Sequence, residues 1–65
     1  MIDKEFKNVA HTLEQQFKQN PGMQKGGIRA FLKDTYGLFG NDYKLFARRY
    51  LKEGQDENLK AALIR

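Results

Sequence analysis

The chain has 65 residues, no cysteine, one histidine and a formal net charge of +4 from twelve Lys and Arg against eight Asp and Glu. A chain this short buries only about 60% of the surface it exposes when unfolded. It therefore forms one small domain over 1–65, without a disulfide, and His11 alone cannot make a structural zinc site. Three Tyr and five Phe argue against a disordered tail; no apolar run approaches the roughly 20 residues of a membrane span and no secretory pattern is visible, so the expectation is a soluble cytoplasmic protein, complete as written.

Ile2, Phe6, Val9, Ala10, Leu13 and Phe17 recur at helical spacing and predict a helix over 3–19 with one narrow apolar stripe. Asp3 reads as its N-cap or first-turn acid, Lys18 suits its last turn, and Asn20-Pro21-Gly22 ends it. A second helix is expected over 27–36, with Ile28, Phe31, Leu32 and Tyr36 inward and Gly37 as its stop. A start as early as Pro21 requires the helix to tolerate Gly26 and Gly27, at about 1 kcal/mol each relative to Ala. Leu38-Phe39-Gly40 is an apolar turn, with Phe39 expected as a plug into the core and an exposed hook as the alternative.

Asn41 or Asp42 is the expected cap of a third helix over 42–53, ended by Gly54. Its inward face reads Tyr43, Phe46, Ala47, Tyr50 and Leu51. Leu45 falls off that face, as an isolated exposed leucine or as a homodimer contact together with Leu38 or the C-terminal helix. Asp56 caps a fourth helix over 57–64 carrying Leu59, Ala62, Leu63 and Ile64. Val, Ile and Thr are few and no segment alternates apolar with polar, so strands are not expected. The fold class is all-α: a compact bundle of three helices plus a short C-terminal fourth, helix-turn-helix-like.

Charge is distributed unevenly along this frame. Between Lys25 and Lys52 lie seven bases and only two acids, Asp34 and Asp42, so this stretch holds +5 and the remainder −1. Lys25, Arg29 and Lys33 repeat every four residues and border the apolar face of helix two. Lys44, Arg48 and Lys52 repeat the spacing on helix three and point outward, with Arg49 on the other flank. A solvated surface explains a single stripe. Two neighbouring stripes that carry the whole net charge predict nucleic-acid binding, to double-stranded DNA first, through Lys25, Arg29, Lys33, Lys44, Arg48, Arg49 and Lys52. Arg48 and Arg49 would meet base edges or phosphates, the lysines phosphates. The alternative is an adaptor or inhibitor of the phage or plasmid accessory type, docking an acidic protein with Leu45, Phe39 and the last helix as apolar anchors. An interfacial membrane helix is disfavoured, because the polar face of helix one is mixed in sign.

The remaining candidates read as structural. Tyr36, Tyr43 and Tyr50, spaced by seven, are expected inward, with stacking on single-stranded bases as the other reading. His11 with Glu14 is a surface pair. Gly26-Gly27 before a helix is a weak phosphate signal without a preceding strand or a Gly-Lys-Ser/Thr motif. No nucleophile accompanies a base and no carboxylates cluster, so neither an enzyme nor a cofactor is expected.

The run Ile28-Arg29-Ala30-Phe31-Leu32-Lys33-Asp34-Thr35-Tyr36 resembles the second helix of linker-histone winged helices, and Arg48-Arg49-Tyr50-Leu51 followed by Gly54 is similar to the end of that family's recognition helix. The resemblance covers less than half of the chain and implies DNA binding. The connection between the two segments is shorter here, and the residues after Gly54 read as a helix where the family has a β-hairpin wing.

Overall fold

The computed structural model describes residues 1–65 and contains four helices: α1 (Asp3–Gln19), α2 (Lys25–Tyr36), α3 (Asn41–Glu53) and α4 (Glu57–Ile64). No strand is present, so the all-α expectation holds, and α4 stands where the resembled family has its wing. No helix is long and apolar enough to cross a membrane.

The core forms where the four apolar faces meet. Phe6, Val9, Ala10, Leu13 and Phe17 of α1 face Ile28 and Leu32 of α2, Tyr43, Phe46 and Tyr50 of α3, and Leu59, Ala62 and Leu63 of α4. Its centre is aromatic. The rings of Phe6 and Phe46 lie 5.5 Å apart, and those of Phe46 and Tyr50 6.0 Å apart, both tilted. Such tilted pairs add about 0.5–1.5 kcal/mol each beyond the area they bury. The predicted stripe of α1 is buried except at its start, where Ile2 lies outside the helix and is exposed.

Helix boundaries follow the local chemistry, with two shifts. α2 begins two residues early, at Lys25, and takes both glycines into its first turn; Ile28 N–H donates to Gln24 O at 2.9 Å. The burial of Ile28 and Leu32 offsets the glycine penalty there. The N-cap of α3 is Gly40, not Asn41 or Asp42, and no side chain caps that end. The chain turns between α2 and α3 through two positive-φ glycines, Gly37 (φ 69°) and Gly40 (φ 57°), a region that a Cβ disfavours. The cap of α4 is as its sequence predicts: Asp56 accepts from Asn58 N–H at 3.0 Å and Leu59 N–H at 3.1 Å.

Three apolar side chains expected inward, Phe39, Leu51 and Tyr36, lie elsewhere. Leu38, packed against the core, anchors the α2–α3 turn, and Phe39 is 64% exposed. A turn this short can turn only one of two consecutive side chains inward, and Leu38 follows directly on the αL cap at Gly37. Leu51 is exposed because Ala47 and Tyr50 already close that flank of α3. Ile64 ends the last helical turn in solvent. Tyr36 is also exposed, but its hydroxyl donates to Thr12 Oγ1 at 2.7 Å and so ties the end of α2 to α1.

Candidate nucleic-acid interface

The first basic row lies along α2. Lys25, Arg29 and Lys33 succeed one another by about one turn, a rise of roughly 6 Å per step. Arg29 and Lys33 are exposed and Lys25 is half-buried. Arg29 reaches across to α3: its guanidinium carbon sits 4.8 Å from the centroid of the Tyr43 ring, within the range of a cation–π contact. Lys33 Nζ lies 5.8 Å from the ring centroid of Phe39 in the turn.

The second row begins one residue after Tyr43. Lys44, Arg48 and Lys52 are exposed on the side of α3 opposite the buried Tyr43, Phe46 and Tyr50. Arg29 over Tyr43 therefore links α2 to the buried face of α3, the face turned away from Lys44, Arg48 and Lys52. Tyr43 itself is buried, and its hydroxyl has no hydrogen-bond partner. Burial raises its pKa above the ordinary tyrosine value, and the charge of Arg29 opposes that rise.

The seven cations divide in their bonding. Lys25, Arg29, Lys33, Lys44, Arg48 and Lys52 form no ion pair; the salt bridges of the molecule belong to Arg49 and Lys60. Arg49 is engaged within the fold. It pairs with Asp3 at the start of α1 and with Glu53 at 3.1 Å, one turn along α3. It also donates to Met1 O at 3.2 Å, and its guanidinium carbon lies 4.4 Å from the Phe6 ring centroid. The hydrogen bond and charge of Arg49 hold the Asp3 carboxyl below its ordinary pKa, and Asp3 raises that of Arg49. The Glu53 partner was legible as an i, i+4 pair. The Asp3 partner was not, because only the packing of α1 on α3 brings residues 3 and 49 together.

A shallow cleft of about 640 Å³ opens beside the α2 row, between the end of α1, the α1–α2 loop and α4. Phe17, Met23 and Ala62 line its floor, with Lys25 and Arg65 among the polar residues around it. His11 is exposed on α1. No three of the His, Asp and Glu side chains gather where they could hold a metal ion.

The exposed ring of Phe39 beside Lys33 is the feature that sequence reasoning placed in the core. Its signal was the glycine on either side of the Leu38-Phe39 pair, which marks a tight turn without saying which of the two residues turns inward. No protein-family model matches this chain, and no curated protein or solved structure matches it at a significant level.

Proposed function

We propose that this protein binds a polynucleotide, double-stranded DNA first, through Lys25, Arg29, Lys33, Lys44, Arg48 and Lys52. The observation that carries the reading is the absence of any acidic partner for those six cations, which stand in two rows of helical spacing on α2 and α3. A cation already neutralised inside the fold has little to offer a phosphate. These six keep their full charge for one. The lysines supply point charges to the phosphate backbone, while Arg48, outward on α3, has the forked geometry to take either a phosphate or the O6/N7 edge of a guanine. Arg49 supports α3 from behind and stays out of the contact set. The reading places the protein in the cytoplasm with access to DNA.

The test is a binding titration against duplex DNA over a range of salt concentrations. Six phosphate contacts give a slope of log affinity against log salt of roughly −5. The double variant Lys44→Glu, Arg48→Glu should lose binding while keeping its helical circular dichroism. Affinity equal to that of the parent, or a slope near zero, would refute the proposal.

A second reading has its own support. Phe39 and Leu45 are 64% and 55% exposed, and both lie among the basic residues. An acidic protein with an apolar anchor would suit that combination. The like charges of Lys44, Arg48 and Lys52 around Leu45 weigh against a homodimer across this face, and sizing of the free protein checks that point.

A further inference from the structure

The α2–α3 turn packs one apolar side chain, half-buried, against the core and presents the next. Leu38 packs against the core and Phe39 stands in solvent. Gly37 and Gly40, both at positive φ, bracket the pair, and Leu38 N–H is bonded to Leu32 O at 3.2 Å. The ring is thus carried on a turn tied to the end of α2, not on a free loop. It also lies at the end of a charged track. Lys33, whose ammonium is 5.8 Å from the ring centroid, is the last cation of the row that starts at Lys25.

We infer that Phe39 receives the face of an unpaired nucleobase, so that the protein favours DNA in which a duplex borders a single-stranded segment. The inference rests on the polynucleotide reading above. A row of unpaired cations ending on an exposed aromatic ring provides the two things an unpaired strand needs, charge for its phosphates and a flat apolar surface for a base. A base within continuous duplex is held between its neighbours and reaches the ring only by unstacking. Charge complementarity identifies the occupant: Arg29 and Lys33 on α2 and Lys44 on α3 are cations without an ion pair, which attract a polyanion and repel a second copy of this chain.

The experiment compares one labelled duplex, blunt or extended by a short single-stranded overhang, by fluorescence anisotropy against the parent protein, Phe39→Ala, Phe39→Leu, Phe39→Trp, and Lys44→Glu, Arg48→Glu. The parent should bind the overhang duplex about tenfold more tightly than the blunt one, the scale of one stacked base. Phe39→Ala and Phe39→Leu should abolish that preference and leave blunt-duplex affinity within about twofold of the parent. Phe39→Trp should keep the preference, and its emission should be quenched by the overhang probe only. An unchanged melting temperature in Phe39→Ala confirms that the exposed ring is not needed for folding. If Phe39→Leu retains the preference, or if Phe39→Ala weakens both probes equally, base stacking is overturned while the phosphate contacts stand. If the parent binds neither probe, or binds only an acidic amphipathic peptide, the polynucleotide reading itself falls and this inference falls with it.

Discussion

A β-carbon on Gly54 would lie 2.4 Å from Cε1 of the Tyr50 ring. The backbone of Gly54 (φ −69°) is open to any residue, so glycine is needed for the close approach of that ring and not for its φ. The ring cannot retreat easily, because Tyr50 is fully buried and its hydroxyl is held at both sides. It donates to Glu14 Oε2 at 2.6 Å and accepts from Asp56 N–H at 3.3 Å. Gly54→Ala should therefore cost about 1–3 kcal/mol as an overpacking change, lowering the melting temperature by roughly 5–20 °C at about 4–8 °C per kcal/mol for a domain of this size. Gly22→Ala, which meets nothing within 4 Å, should change it little. Thermal melts followed by circular dichroism at 222 nm test the pair, and equal melting temperatures would contradict the argument.

The two buried tyrosine hydroxyls predict opposite effects of the same substitution. Tyr50→Phe leaves the Glu14 carboxylate and the Asp56 N–H without their shared partner, at about 1–2 kcal/mol. Tyr43→Phe removes a hydroxyl that has no partner in the fold, so it should be neutral or stabilising by up to about 1 kcal/mol. Urea unfolding of the two variants against the parent decides the matter by the sign of each shift.

Alkaline pH should weaken the fold through the same two groups. Burial, first, and the hydrogen bond to Glu14 raise the Tyr50 pKa, and burial raises that of Tyr43. A tyrosine whose folded pKa is raised contributes stability that is fully present below its unfolded pKa of 10.0 and is lost as pH rises through the folded value. The melting temperature should fall progressively above about pH 10, and by less in Tyr50→Phe than in the parent. A variant that tracks the parent at every pH would rule out Tyr50 as the source.

At the acid end the Arg49–Asp3 pair is the sensitive element. Asp3 has a depressed pKa in the folded protein, so its contribution is present above the ordinary value of 3.8 and disappears as pH falls through the folded one. The difference in melting temperature between the parent and Asp3→Asn should be constant near neutrality and shrink below about pH 4. The effect is small, because the carboxyl is solvent-exposed. A difference that stays constant down to pH 2 would exclude the pair as its source.

Single substitutions to alanine should separate contact from support. Removing Lys44, Arg48 or Lys52 should each reduce the salt slope of DNA binding by about 0.9 and leave the melting temperature unchanged. Arg49→Ala should do the reverse: it should lower the melting temperature, by loss of the Asp3 and Glu53 pairs and the cover over Phe6, and keep the salt slope of the parent at temperatures where it is folded. Slopes that fall equally for Arg48→Ala and Arg49→Ala would return Arg49 to the contact set.

What was legible beforehand depended on the range of the interaction involved. The apolar stripe of α1, the stop at Gly37 and the Asp56 cap are set by residues within a few turns of one another, so period and capping chemistry determined them. The concentration of charge between Lys25 and Lys52 is a property of the chain alone. Tertiary packing decided which cations remained available, because Arg49 finds Asp3 only when α1 lies on α3. It also decided that Leu38 would turn in and Phe39 out, since two adjacent apolar residues in a tight turn are equivalent until the core offers space for one of them. The early start of α2 has the same origin: local propensity opposes Gly26 and Gly27 in a helix, and the burial of Ile28 and Leu32 outweighs it.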